Sequence, residues 1–241
     1  MRMQFVPMLS AFAFLATAAP GAAQETVMND YTASYIEMQA ADGQSEALAE
    51  FLTGAAPVVK ETEPGTELWF ALRADDTLAI FDVFVDKAAR DAHFSGAVAG
   101  ALNTSAEALV QGGWDDGVVA NIKTSEVLSA KAPVDLYSAA TATYIALEAA
   151  PGQAEHLAEL LRSAGPVVAE TEKKTLFWVA LRIDETRFAI FDIFADNSGR
   201  EAHFSGQVAG LLKKKAVDLV EGGWDEGVVA NVHNYDILAI R

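Results

Sequence analysis

The chain has 241 residues, half of them hydrophobic, and sets 17 Lys and Arg against 34 Asp and Glu for a formal net charge of −17. Such acidity repels nucleic acid and anionic lipid surfaces, so no nucleic-acid partner is expected. The absence of cysteine excludes disulfides, thiolate catalysis and cysteine-ligated metals.

Residues 1–23 carry one positive charge, Arg2, then a mostly apolar run and the small residues Gly21, Ala22 and Ala23. That is the layout of a secretory signal peptide, with cleavage expected after Ala23. Pro7 interrupts a run already shorter than the roughly 20 apolar residues that a spanning helix needs. The expectation is a periplasmic or secreted protein with no membrane span after cleavage. Residues 24–30 read as a flexible lead-in.

The rest of the chain is written twice. Residues 81–100, FDVFVDKAARDAHFSGAVAG, return at 191–210 as FDIFADNSGREAHFSGQVAG, which sets His93 and His203 110 positions apart. Outward from there, Ser34-Tyr35 answers to Thr143-Tyr144, Ala71-Leu72-Arg73 to Ala180-Leu181-Arg182, and Gly112-Gly113-Trp114 to Gly222-Gly223-Trp224. The second copy gains one residue where a hairpin turn is expected, the place a folding unit tolerates it best. Two tandem domains are expected, at 32–129 and 141–241, each of ordinary domain size. Residues 130–138, with Pro133, read as their linker.

Within a copy, residues 32–39 read as a first strand. A helix follows, with Leu48, Phe51, Leu52, Ala55 and Val59 on a buried stripe and Leu157, Leu160, Leu161, Ala164 and Val168 as counterparts. Pro57 and Pro166 predict a kink or break in it. Glu63-Pro64-Gly65 reads as the turn after this helix. Two strands joined at Asp75-Asp76 come next. Asp86 and Asp196 are suited to cap a second helix carrying the histidine, and a last strand is expected from residue 118 to 122, running on towards 128. The order βαββαβ predicts an antiparallel sheet with both helices on one face.

The Pro151-Gly152 turn, Glu63-Pro64-Gly65, the strand running into Asp82, and the segment from Ala88 to His93 with its copy ending at His203 resemble the antibiotic biosynthesis monooxygenase family. That family includes quinol monooxygenases and belongs to the dimeric α+β barrel superfamily. The resemblance implies that the two ferredoxin-like copies close an intrachain barrel of the kind that family members usually form as dimers, and it leaves a further homo-oligomer open. It also implies cofactor-free oxidation of a small aromatic or quinol-like ligand. The chain departs from the family where Asp82-Val83-Phe84 and Asp192-Ile193-Phe194 replace a common Glu-x-Trp. Of the haem-degrading branch's asparagine, tryptophan and histidine, it retains only the histidine.

His93 and His203 suit removal of a phenolic proton, because imidazole titrates near working pH. Ala89, Gly96, Ala97 and Gly100 could leave room for a ring beside His93, or serve close packing. Trp69 and Trp178 could line the same cavity or fill core. Arg73 and Arg182 could hold an anionic oxygen or pair with Asp82 and Asp192. Those two aspartates are expected on the surface, with orientation of the histidine as the other reading. Tyr35 and Tyr144 could donate to a substrate oxygen or pack half-buried. Trp114 and Trp224 are expected to close the barrel end. His156 and His233 lack counterparts, so neither is expected in a duplicated site. No metal site is expected, and no Gly-rich motif suggests a nucleotide or flavin. The alternative function is a non-catalytic binding protein for an apolar aromatic ligand.

Overall fold

The structure is a computed structural model and describes residues 30–241; the expected signal peptide lies outside them. The first copy supplies β1 (Thr32–Gln39), α1 (Ser45–Thr62), β2 (Thr66–Ala74), β3 (Thr77–Phe84), α2 (Lys87–Phe94), α3 (Ala97–Leu109), a short α4 (Gly113–Gly117) and β4 (Ile122–Lys131). The second supplies β5 (Thr141–Glu148), α5 (Ala154–Thr171), β6 (Thr175–Arg182), β7 (Arg187–Phe194), α6 (Asn197–Phe204), α7 (Gln207–Leu219) and β8 (Val232–Ile240). These are two ferredoxin-like units, and all their strand pairings are antiparallel.

The strands close one barrel in the order β1-β3-β2-β8-β5-β7-β6-β4, with β4 returning to β1. The copies are interlocked. β4 pairs with β1 of its own copy and runs on to pair with β6, as β8 pairs with β5 and runs on to β2, so among the described residues the barrel has no open sheet edge. Alternation along each strand then sends one set of side chains into the barrel and the other under the helices. Tyr35, Phe70, Phe81, Tyr144, Phe177 and Phe191 fill the barrel. Ile36, Trp69 and Ile80 pack outward against Leu48, Leu52 and Val59 of α1, and Ile145, Trp178 and Ile190 do the same under α5. Both faces are buried, which is why β2, β3, β6 and β7 read as nearly continuous apolar runs.

Several local expectations change. α1 and α5 run unbroken through Pro57 and Pro166. Their buried stripes hold the helix against the loss of one backbone hydrogen bond. The histidine helix instead divides at Ser95-Gly96, where the Gly96 N–H returns to the His93 carbonyl at 2.9 Å. Asp86 caps α2 as expected, accepting from the Ala89 N–H at 2.7 Å. The last strand starts at Ile122, because residues 119–121 form a single 3-10 turn, and it extends to Lys131, inside the expected linker. Trp114 and Trp224 pack against the two helix-covered cores and do not close the barrel.

Candidate functional site

Asp82 occupies an outward position on β3, between the fully buried Phe81 and Val83 that face the barrel. In register beside it stand Ser34 on β1 and Trp69 on β2. Ser34 Oγ donates to Asp82 Oδ2 at 2.8 Å. From above, α2 lowers His93 onto this spot, with its Nε2 3.6 Å from Asp82 Oδ2. Glu63, at the end of α1, completes the group by meeting His93 Nδ1 through Oε2, the same oxygen that accepts from Thr66 Oγ1 at 3.3 Å. The three are nearly or wholly buried, at 9% exposure for Glu63, 0% for Asp82 and 5% for His93. The second copy repeats the arrangement with Glu172, His203 and Asp192, where Nε2 again lies 3.6 Å from the aspartate.

The imidazoles sit between two carboxylates in surroundings that disfavour isolated charge. Burial pushes the Asp82 and Asp192 carboxyls up to about 6, against the opposing pull of the neighbouring histidine. Burial also works against a charged His203, but Asp192 and Glu172 outweigh it and raise its proton affinity. In each site the imidazole thus bonds one buried carboxylate through Nδ1 and stands 3.6 Å from a second through Nε2, a buried set of titratable groups of the kind that functional sites use.

The aspartates are therefore core residues that face the histidines, contrary to the expected surface position. Their strand runs beneath α2, so the outward face is covered. Glu63 reads in the sequence only as the start of a turn, yet both copies carry glutamate at this helix end, Glu63 and Glu172. That shared position, one helix end ahead of the histidine helix, was the available signal. Trp69 and Trp178 share the aspartates' sheet face, fully buried, but the rings nearest the histidines are Phe84 and Phe94, and Phe194 and Phe204. Arg73 and Arg182 lie elsewhere, paired at 2.7 Å with Glu46 and Glu155 on the helix surfaces. Their strand ends project past the helix-covered layer, out of reach of Asp82 and Asp192. Tyr35 and Tyr144 point to the opposite side of the sheet, into the barrel, because each is one residue removed from Ser34 or Thr143.

Of the small residues beside His93, Gly96 serves close packing while Gly100 faces open space. A side-chain carbon on Gly96 would stand 2.7 Å from Glu63 Oε1, and one on Gly65 would stand 2.6 Å from the Ala89 side chain, so Gly96, Gly65 and Ala89 serve close approach. A cavity of about 450 Å³ opens beside Arg90, Ser125 and Arg182, and another of about 800 Å³ beside Tyr31, Asp86 and Arg162; neither reaches a buried histidine.

A second polar group, absent from the repeat pattern, joins the buried Tyr35 and Tyr235 to the partly exposed Glu37 and His233. Tyr35 Oη donates to Glu37 Oε2 at 2.6 Å, Tyr235 Oη does so at 2.8 Å, and His233 Nδ1 approaches the same oxygen at 3.2 Å. Burial opposes ionisation of Glu37, but the two hydroxyls, His233 and Lys123 prevail and hold its carboxyl below the ordinary range. Ala146 and Ser125 stand at the positions of Glu37 and Tyr235 in the other half. Among the described residues no cluster of three or more His, Cys, Asp or Glu could hold a metal ion, and no helix is long and apolar enough to cross a membrane.

The fold is shared with solved structures, several of them monooxygenase-like by name. A putative monooxygenase of Fusobacterium nucleatum matches with a TM-score of 0.72 at 14% identity, over 88% of this chain and 94% of that one. A putative monooxygenase of Lactobacillus acidophilus matches with a TM-score of 0.66 at 10% identity, over 88% and 95%. An anthrone oxidase-like protein matches at 0.54 and 12% identity, over 90% and 94%. No protein-family model matches the sequence, and no curated protein does either. The chain thus has the α+β barrel fold seen in these monooxygenase-like structures.

Proposed function

We propose that this protein is an exported, cofactor-independent monooxygenase that oxidises a quinol or related phenol with dioxygen. The observation that carries the reading is the buried Glu–His–Asp relay, built twice from the same elements. The likeness to monooxygenase-like structures supports the reaction class, and residues 1–23 support export to the periplasm or beyond.

The chemistry asks little of the protein beyond proton handling. A phenol that surrenders its proton becomes electron-rich enough to reduce dioxygen itself. Where oxygen enters at a ring CH₂ of the keto tautomer, one atom becomes the new carbonyl and the other leaves as water with both hydrogens. The relay would accept the first proton and return it. Because His93 and His203 are covered, substrate entry requires the eight-residue helices α2 and α6 to lift from the sheet.

Oxygen uptake with a panel of quinols and phenols tests the reading, comparing the native protein with a His93→Asn, His203→Asn double variant. Turnover lost only in the variant supports it, and no uptake with any member of the panel refutes it. The closure of both histidine sites favours a second reading, ligand binding without chemistry. Thermal stabilisation by an aromatic ligand without oxygen uptake would establish that instead.

A further inference from the structure

Among the described residues, Lys131 is the only lysine or arginine that is buried, at 6% exposure. It falls in the stretch expected as the linker, yet it ends β4, opposite Trp178 of β6 in the strand register. It therefore belongs to the first copy and lies against the second. A buried ammonium needs partners, because removing it from water is costly. Lys131 Nζ meets them at the C-terminal end of α5, where carbonyls are left without helical donors. It donates to the Glu172 carbonyl at 2.8 Å and to the Thr175 carbonyl. Burial lowers its pKa, Lys173 acts in the same direction, and Glu172 opposes both.

Glu172 and Thr175 are the residues that hold His203. Glu172 Oε2 meets His203 Nδ1. Thr175 Oγ1 donates to that same carboxylate oxygen at 3.3 Å and lies 3.5 Å from the same ring nitrogen. The Lys131 ammonium thus ties together the backbone of both residues while their side chains converge on the imidazole. Close helix packing brings it there. α5 carries Gly165 where α1 has Ala56, and a side-chain carbon on Gly165 would fall 3.0 Å from the backbone nitrogen of Ala130, next to Lys131. In the other half Arg241 takes the place of Lys131, its backbone N–H donating to the Trp69 carbonyl at 3.0 Å, and its Nη1 is buried without a partner. The charged groups facing His203 are Asp192 from β7, Glu172 from the end of α5 and Lys131 from β4. The first two raise its proton affinity and Lys131 lowers it.

We propose that Lys131 is a positioning residue of the His203 site, so that this site is built from both copies. The last strand of the first copy fixes the two backbone carbonyls from which Glu172 and Thr175 hold the imidazole. The bearing on turnover rests on the function proposed above; the positioning does not.

Proton NMR near neutral pH reads the contact directly, because a buried imidazole N–H bonded to a carboxylate resonates far downfield of ordinary amides. His93→Asn and His203→Asn each remove one such signal and so assign them. Lys131→Met, which keeps the stem and removes the donor, should shift the His203 signal upfield or abolish it and leave the His93 signal in place. Lys131→Arg, which keeps the charge and the donors, should retain both. An unchanged His203 signal in Lys131→Met, whatever its melting temperature, would overturn the proposal. So would an equal shift of both signals, the mark of general loosening. Lys131→Gln, one bond shorter and uncharged, is the milder change should Lys131→Met fail to fold; the His203 signal should shift there too, and an unchanged one overturns the proposal equally. In a His93→Asn background, Lys131→Met should lower kcat for quinol oxidation by about tenfold or more with KM little changed, as a misplaced base does. A shifted His203 signal with no oxygen uptake by any form would keep the positioning and remove the monooxygenase reading. Uptake unaffected by Lys131→Met, with an unshifted signal, would do the opposite.

Discussion

Tyr35 and Tyr144, equivalent residues of the two copies, stack face to face inside the barrel with ring centroids 3.8 Å apart and planes 6° from parallel. Phe81 and Phe191 repeat the relationship, also at 3.8 Å and with planes 16° apart. The copies therefore share one interior, and each completes its core with the other's rings.

A single copy, residues 30–131, should not fold as a monomer. Its β4 would lack β6, its β2 would lack β8, and its inward aromatic face would be bare. Light scattering after size exclusion should find either a dimer or an unfolded chain. A folded monomer would show that the interlocking is dispensable.

His93→Ala should destabilise the protein by about 3–5 kcal/mol, because it strands Glu63 and Asp82 as uncompensated buried charges. His93→Asn, which can still donate a hydrogen bond, should cost less. Urea unfolding measures both, and equal small losses would mean that the relay is not an energetic unit. The same logic separates stability from catalysis, which is why asparagine is the better variant for activity assays.

The relay also sets a pH dependence. Asp82 and Asp192 move from 3.8 in the unfolded chain to about 6 when folded. Between those values the folded chain holds more protons, so these groups make stability fall as pH rises through that interval. His203 acts in the same direction: the stability it contributes is present below its ordinary 6.5 and lost as pH rises through its higher folded value. Asp192→Asn should therefore stabilise the protein at about pH 8 by up to about 3 kcal/mol, with little gain at about pH 4. Melting curves of the native and variant proteins across that range check the sign. A variant equally stabilised at both ends would contradict it.

Gly96→Ala should cost about 1–3 kcal/mol by pushing its new carbon into the Glu63 carboxylate. Gly206→Ala should do the same to Glu172, whose Oε1 would lie 2.6 Å away. Gly100→Ala, which meets nothing within 4 Å, is the internal control and should be neutral or slightly stabilising. Thermal unfolding of the three distinguishes close packing from helix propensity.

The repeat made the architecture legible, because a duplicated βαββαβ pattern with apolar strands on both faces has few ways to be buried. The bridging of the copies by β4 and β8 was not legible in detail: partner choice between copies leaves no trace in the spacing of one strand. At the site, the histidines stood out as titratable residues repeated among small ones. Asp82 did not, since an aspartate in an apolar strand reads as a surface position until a helix is known to cover it. Glu63 was hidden by its turn-like neighbours Pro64 and Gly65. The Glu37–Tyr235–His233 group was invisible to an argument built on the repeat, because it exists in one half only.

That one-sidedness follows from fusing the copies. Glu37 reaches Tyr35 and Tyr235 close to where Tyr35 meets Tyr144, near the axis that relates the halves. In a barrel assembled from two identical chains, every residue near that axis faces its own image. A glutamate there would arrive as a pair, two carboxylates competing for the same hydroxyls and repelling each other. A single continuous chain escapes this arithmetic. It can place an acid on one side and Ala146 on the other, so the polar group that Tyr35 and Tyr235 reach can be charged and oriented in a way that a symmetric assembly of the same fold is denied.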